Sequence, residues 1–179
     1  MMTIEHFDAT VRSWMLAHQN DAASGLLRVV TNVGAPNPMA FVALSAAGVL
    51  WWRRRAAAAL SVLLAPAAAM ATYEIGKRFI ARARPPGTGA IIEDGYAFPS
   101  AHATTSAAVC ATLALVLWQE RLVPAPIALA IGILAPLLVG LSRVYFDVHW
   151  ATDVLGGWSA GGVIAIGAAA LNRSLRTVR

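Results

Sequence analysis

The sequence has little charge, one lysine and one cysteine. Only 13% of its 179 residues are charged, about half the share in an ordinary soluble domain, while 58% are hydrophobic. Such a composition leaves too few polar side chains to cover a free-standing soluble enzyme. It also excludes intrinsic disorder, because this much apolar side chain does not stay solvated. Cys110 is the single cysteine, which removes any internal disulfide and any cysteine-built metal site. No basic stretch is interleaved with aromatics, so the excess of 14 basic over 9 acidic residues does not describe a nucleic-acid partner. On a chain this apolar it marks loops at a membrane surface. A basic start, an apolar run and a small-residue cleavage site are all missing from the N-terminus, so no cleaved signal peptide is expected.

Long apolar runs are abundant. Crossing the hydrocarbon core of a bilayer takes roughly 20 mostly apolar helical residues, and five windows approach that length: 33–52, 56–73, 101–118, 123–141 and 154–171. The first opens on a polar Pro36-Asn37-Pro38 stretch, and the other four contain no Asp, Glu, Lys or Arg. The expected fold class is therefore all-α, an integral-membrane bundle of five transmembrane helices in a single domain, 1–179. An N-terminal amphipathic segment at 1–28 precedes them. In it Ile4, Phe7, Val11, Trp14, Met15 and His18 recur at helical spacing, with Glu5, Asp8, Arg12 and Gln19 on the other face. This helix either lies on the membrane or caps the bundle, and it would be a sixth span only if it crosses.

Five spans put Arg53-Arg54-Arg55, the 119–122 turn and the Arg173, Arg176, Arg179 tail on one side, with seven arginines against Glu120 alone. By the positive-inside rule that side is cytoplasmic, and segments 76–100 and 142–153 face outward.

Most of the unusual chemistry lies in those outward segments, a core at 77–153. Lys77 stands alone among thirteen arginines, and Arg84 follows seven residues later, before Pro85. Seven residues is close to two helical turns, so the two cations are expected on one helix face that ends at the proline. Such a pair suits a multiply charged anion, with Arg84 gripping oxygens bidentately and Lys77 acting as a point charge. Arg78 and Arg82 are expected to snorkel at the membrane border.

Pro99-Ser100-Ala101-His102 stands where a polar loop becomes the third span. Ser100 is a natural N-cap there, and the unpaired backbone N–H groups of a helix start attract anions. His102 falls in the first turn. His149 and Asp153, four residues apart, share a face if both are helical, so the carboxylate can hold one ring nitrogen and leave the other as an oriented base or nucleophile. Arg143 supplies a third cation and Ser142 a further hydroxyl. A divalent metal is not expected beside these three cations, which would repel it, and no cofactor is expected.

Together these clusters resemble the three motifs of the type 2 phosphatidic acid phosphatase superfamily, which also includes vanadium haloperoxidases and glucose 6-phosphatase. The resemblance runs from Lys77 to Asp153 and meets every defining position but one glycine. It implies that His149 attacks phosphorus and carries a phosphohistidine, with Asp153 orienting it. His102 then protonates the leaving oxygen and later activates water. Lys77, Arg84, Ser100, the Ala101 backbone N–H and Arg143 hold the phosphoryl oxygens. No metal or other cofactor is implied.

Three features depart from the family pattern. Ala101 replaces a glycine and adds a methyl that resists positive φ. Asp147 stands where many relatives have glycine, placing a carboxylate near the site that could repel or contact a head group. Relatives tend to have six spans, whereas here the first is replaced by the weakly apolar N-terminal helix. The implied function is a metal-independent lipid phosphatase in a bacterial inner membrane, with its site facing outward and the bilayer and a lipid phosphate as its partners. Undecaprenyl diphosphate is the preferred substrate, ahead of phosphatidylglycerophosphate, phosphatidate and lipid A. The competing class is a lipid-binding or transport protein that keeps the anion cradle without turnover. Oligomeric state is not legible, because Gly156-Gly157 and Gly161-Gly162 suit helix packing within or between chains.

Overall fold

The structure, a computed structural model, describes residues 3–87 and 91–177. Among these residues it is all-helical: α1 (Ile4–Ala17), α2 (Asp21–Val33), α3 (Pro36–Trp52), α4 (Ala56–Ile80), α5 (Ala101–Gln119), α6 (Ala125–Tyr145) and α7 (Ala151–Thr177). Several starts are written locally. Thr3, Asn20 and Ser100 each accept a backbone N–H from the first turn of α1, α2 and α5, satisfying a donor that the helix itself leaves unpaired.

Helix α5 is the centre of the bundle, packed against α3, α4, α6 and α7. Every position from 103 to 110 is buried, and all carry small side chains, which lets neighbouring backbones approach closely. Gly157 and Gly161 of α7 face it. A Cβ on Gly161 would stand 2.6 Å from the Ala107 Cβ and from the Thr104 carbonyl oxygen. These glycines therefore serve packing within the chain, whereas the space beside Gly162 is open.

Burial is inverted relative to a water-soluble protein. The interior holds Ala58, Ala65, Thr104, Thr105, Ser106 and Thr112, while Phe41, Leu64, Leu129, Leu134, Val163 and Ile166 point outward. An apolar exterior and a small, hydrogen-bonding interior suit a lipid environment, where backbone polar groups must be satisfied internally.

Four helices, α4 to α7, are long and apolar enough to cross a membrane. The fifth expected span, 33–52, is essentially the 17-residue α3. Pro36 has no N–H to continue α2, so α3 starts afresh, and α2 and α3 meet at a 55° bend that reaches a membrane-spanning length only as a pair. The N-terminal segment is likewise two helices rather than one. In α1 the inward side mixes the two expected faces: Asp8 is 1% exposed, and Val11 and Met15 pack on the core, whereas Ile4 and Trp14 are 63% and 58% exposed. That helix caps the end of the bundle, held by ion pairs described below.

At the opposite end Arg55 and Arg176 both donate to the Glu120 carboxylate and to backbone carbonyls of Glu120 and Gln119, while Asn172 donates to Gln119. The arginine-rich turns of α4, α5 and α7 thus share one end of the bundle.

Candidate active site

The three motif clusters meet at the α1 end. Lys77 sits in the last turn of α4, which stops at Ile80. Ala81 follows in a left-handed conformation with φ 47°, so Arg84 does not share a helix face with Lys77, contrary to the spacing argument. It lies in an extended segment instead. There Ala97 N–H donates to the Arg82 carbonyl at 2.8 Å and the Trp150 indole donates to the Ala83 carbonyl at 3.0 Å. Arg84 is fixed by donating to the carbonyls of Gly95 and Val148 at 3.0 and 2.8 Å. Lys77 remains within electrostatic reach of Arg84 and Glu93.

Ser100 caps α5 with its side chain, and its own N–H donates to the Asp153 carbonyl at 3.1 Å, so the starts of α5 and α7 are joined. Ala101 opens α5 in ordinary helical geometry. The non-glycine residues with positive φ among the described residues are Arg54, Ala81, Arg121 and Asp147, so the methyl of Ala101 meets no backbone strain. Arg143 ends α6, 1% exposed, and donates to Thr31 of α2 at 2.6 Å. Ser142 is turned away, its hydroxyl donating to the Val139 carbonyl within α6 at 2.6 Å.

His149 lies in the turn between α6 and α7, not in a helix. Its backbone N–H donates to the Arg143 carbonyl at 3.3 Å. Asp153, in the first turn of α7, folds back to accept the Trp150 N–H at 2.9 Å, and this capping contact brings its Oδ2 to 3.5 Å from His149 Nδ1. The helical four-residue spacing is therefore not what pairs them. On the other side of the ring, Nε2 is 3.1 Å from Arg84 Nη1. Burial is the largest influence on the imidazole and pushes it below its ordinary value of 6.5, with Arg84 and Arg143 acting in the same direction against Asp153 and Glu93.

Glu93 is the central residue that the motif search missed. Its carboxylate accepts from Arg143 and lies 3.2 Å from Arg84, 3.7 Å from His149 Nε2 and 4.0 Å from His102 Nδ1. Burial alone would raise this carboxyl, but Arg143, His102, His149 and Arg84 together hold it below its ordinary value. Its sequence signal is weak, a Glu93-Asp94 pair in the same loop as Arg82 and Arg84.

Arg82 and Asp147 also differ from expectation. Arg82 is no snorkelling side chain: it donates to Asp153 and to Asp8 of α1, both at 2.6 Å. Asp147 is buried and accepts two bonds from Arg12 of α1, at 2.7 and 2.8 Å. Its φ of 57° is the left-handed region that favours glycine.

The spans, the inverted burial and the charged cluster around a buried histidine define a polytopic helical membrane protein with a cluster of ionisable groups at one end. The chain belongs to the PAP2 superfamily, whose model matches residues 58–176. Over shorter stretches it is 37% identical to phosphatidylglycerophosphatase B of Bacillus subtilis, across 48% of this chain and 43% of that protein. It is 36% identical to decaprenylphosphoryl-5-phosphoribose phosphatase of Mycolicibacterium smegmatis, across 65% and 62%, and 38% identical to undecaprenyl-diphosphatase of Sulfolobus acidocaldarius, across 39% and 31%. The matched stretches thus span less than two thirds of each relative. The fold is shared with the crystal structure of a transmembrane PAP2 type phosphatidylglycerolphosphate phosphatase from Bacillus subtilis, with a TM-score of 0.84 at 24% identity, covering 98% of this chain and 89% of that one.

Proposed function

We propose that the protein is a metal-independent lipid phosphatase that hydrolyses a phosphate or diphosphate head group through a phosphohistidine on His149. One observation carries this: the His149 ring stands between a carboxylate on its Nδ1 side and the Arg84, Arg143 and Glu93 cluster on its Nε2 side. One nitrogen faces a carboxylate 3.5 Å away, and the other faces the cations.

The chemistry follows from that polarity. Nε2 attacks phosphorus, and the bond to the leaving oxygen breaks as His102 supplies a proton to it. The ring becomes cationic with its proton on Nδ1, facing Asp153. Water then attacks the P–N bond, His102 takes its proton, and inorganic phosphate leaves with His149 restored. Arg84, Arg143, Lys77 and the N–H groups at the start of α5 hold the phosphoryl oxygens as charge spreads over them, so catalysis is positioning and electrostatics.

The named activities of the three relatives share a phosphoryl group on a lipid and divide between a phospholipid and polyprenyl carriers. The substrate class is therefore a lipid phosphate, with undecaprenyl diphosphate and phosphatidylglycerophosphate as the two head-group types to compare. The site faces the outer side of a bacterial inner membrane. Supporting this, the opposite end carries seven arginines in its turns and tail, whereas Arg82, Arg84 and Arg143 at the other end are engaged in the site itself.

The test is phosphate release in detergent, with a chelator present, from undecaprenyl diphosphate and phosphatidylglycerophosphate. Release by the wild type that is abolished in a folded His149→Ala variant is expected. Release that survives in that variant overturns the mechanism, and binding of both lipids without release by the wild type favours a lipid-phosphate binding role.

A further inference from the structure

Helix α1 carries one fully buried charge, Asp8, and every contact of its carboxylate is with residues flanking the site. Oδ1 accepts the Thr152 backbone N–H at 2.9 Å, and Oδ2 accepts the Thr152 hydroxyl and Arg82 Nη2, each at 2.6 Å. Arg82 Nη1 donates in turn to Thr152 Oγ1 at 2.7 Å and to Asp153 Oδ1 at 2.6 Å. Asp153 Oδ2 faces His149. The sequence Asp8, Arg82, Asp153, His149 is thus a continuous run of alternating charge that starts on a helix outside the three motifs. Asp8 also meets the positive end of α7 by accepting an N–H of its first turn, a carboxylate placed where the helix dipole favours one.

We propose that Asp8 is a positioning residue for the reaction: through Arg82 it fixes the orientation and the effective charge of Asp153, and so of His149. The proposal rests on His149 as the nucleophile. A cation 2.6 Å from Asp153 weakens the carboxylate's hold on a positively charged imidazole; Asp8 offsets that cation and restores it. It also leaves Arg82 fully bonded, so that the Asp153 carboxylate is clamped from Arg82 and from the Trp150 N–H at once. The partner that orients a catalytic carboxylate or histidine commonly matters nearly as much as the group itself.

Removing only the negative charge and removing both charges have opposite signatures. In Asp8→Asn the Arg82 cation is left uncompensated beside Asp153, so a positive charge on His149 is less stabilised. In Asp8→Asn with Arg82→Gln both members of the outer pair are gone and Asp153 has no cation but the ring to face, so a positive His149 is more stabilised. The other charged groups facing His149 are Arg84 from the segment after α4, Glu93 from the loop before α5, His102 of α5 and Arg143 of α6, and neither variant alters them. Arg12→Gln cuts the other tie of α1, to Asp147, and leaves the charge run intact, so it reports helix docking alone.

The experiment uses the full chain in detergent. Two readouts are followed against pH: phosphatidate hydrolysis in mixed micelles, and the 15N shifts of the His149 ring, assigned by their loss in His149→Ala. In Asp8→Asn, kcat is expected to fall roughly 10- to 100-fold with KM changed less than about twofold, the range seen when an orienting partner is lost, and the His149 titration moves to lower pH. The double variant moves it to higher pH, and Arg12→Gln leaves it in place. Titrations that coincide in all variants, or move the same way in both Asp8 variants, overturn the proposal. A wild type that hydrolyses nothing while the ring titrations separate as described overturns the phosphatase assignment and leaves the charge run standing.

Discussion

His149 Nε2 lies 3.1 Å from Arg84 Nη1. A guanidinium keeps its protons throughout the accessible pH range, so at this distance the ring nitrogen is the acceptor and the imidazole proton resides on Nδ1, toward Asp153. The pair therefore selects the tautomer that nucleophilic attack needs. When phosphoryl oxygens take the Arg84 donors, the Nε2 lone pair is released toward phosphorus.

The same contact sets a pH dependence. Attack requires unprotonated Nε2, and burial, with Arg84 and Arg143, opposes the added proton, so the folded-state value lies below 6.5. On the acid side, activity is expected to fall only as pH drops well below 6.5, read from kcat/KM between pH 4 and 8. Stability follows with the same sign. The unfolded chain takes up this proton first, so unfolding becomes easier as pH falls below 6.5. An acid limb centred above 6.5 contradicts the burial of the ring.

Glu93 places a carboxylate among Arg84, Arg143, His102 and His149, the groups that would hold phosphoryl oxygens. An anionic ligand must displace it or share its cations. Glu93→Gln is expected to tighten binding of inorganic phosphate or vanadate about tenfold, equivalent to roughly 1.4 kcal/mol, measured as inhibition of lipid hydrolysis. Weaker binding in that variant shows instead that Glu93 helps build the cradle.

Asp147 combines a left-handed backbone with an ion pair to Arg12. Asp147→Ala loses the pair and keeps the strained φ, whereas Asp147→Gly loses the pair and relieves it. The alanine variant is expected to be the less stable by about 1 kcal/mol, seen as a lower midpoint of thermal unfolding in detergent. Equal midpoints argue that the turn relaxes without cost.

Along α7, neighbouring glycines should respond oppositely. Gly161→Ala drives a methyl into Ala107 and the Thr104 carbonyl and is expected to cost about 1–3 kcal/mol. Gly162→Ala meets open space and should be neutral or slightly favourable, since alanine is the better helix former. The paired unfolding midpoints check this, and a neutral Gly161→Ala would mean that α5 and α7 can separate.

Much of the site was legible because its chemistry is carried by rare residues in a poor background. A lone lysine and two of four histidines stand out in a chain with so little charge, and the capping role of Ser100 follows from its place at a polar-to-apolar boundary. Arg84 and His149 were identified, but the helical spacing that first united each with its partner is absent. Arg84 reaches the site from an extended segment, and Asp153 reaches His149 by capping a turn. Asp8, Arg82 and Glu93 were not legible as site residues. Each is an ordinary polar residue in its own stretch, and its partners lie far away in the chain: 74 positions separate Asp8 from Arg82, and 50 separate Glu93 from Arg143.

The sequence by itself determined the membrane environment, the helical class and the residues proposed to handle the phosphoryl group, because hydropathy, helix capping and side-chain chemistry are properties of short stretches. Only the tertiary structure decided which face of α1 turns inward, where α2 and α3 break, and which carboxylate answers which cation. Those outcomes depend on long-range packing, in which a buried charge is tolerated only where another element happens to bring its partner.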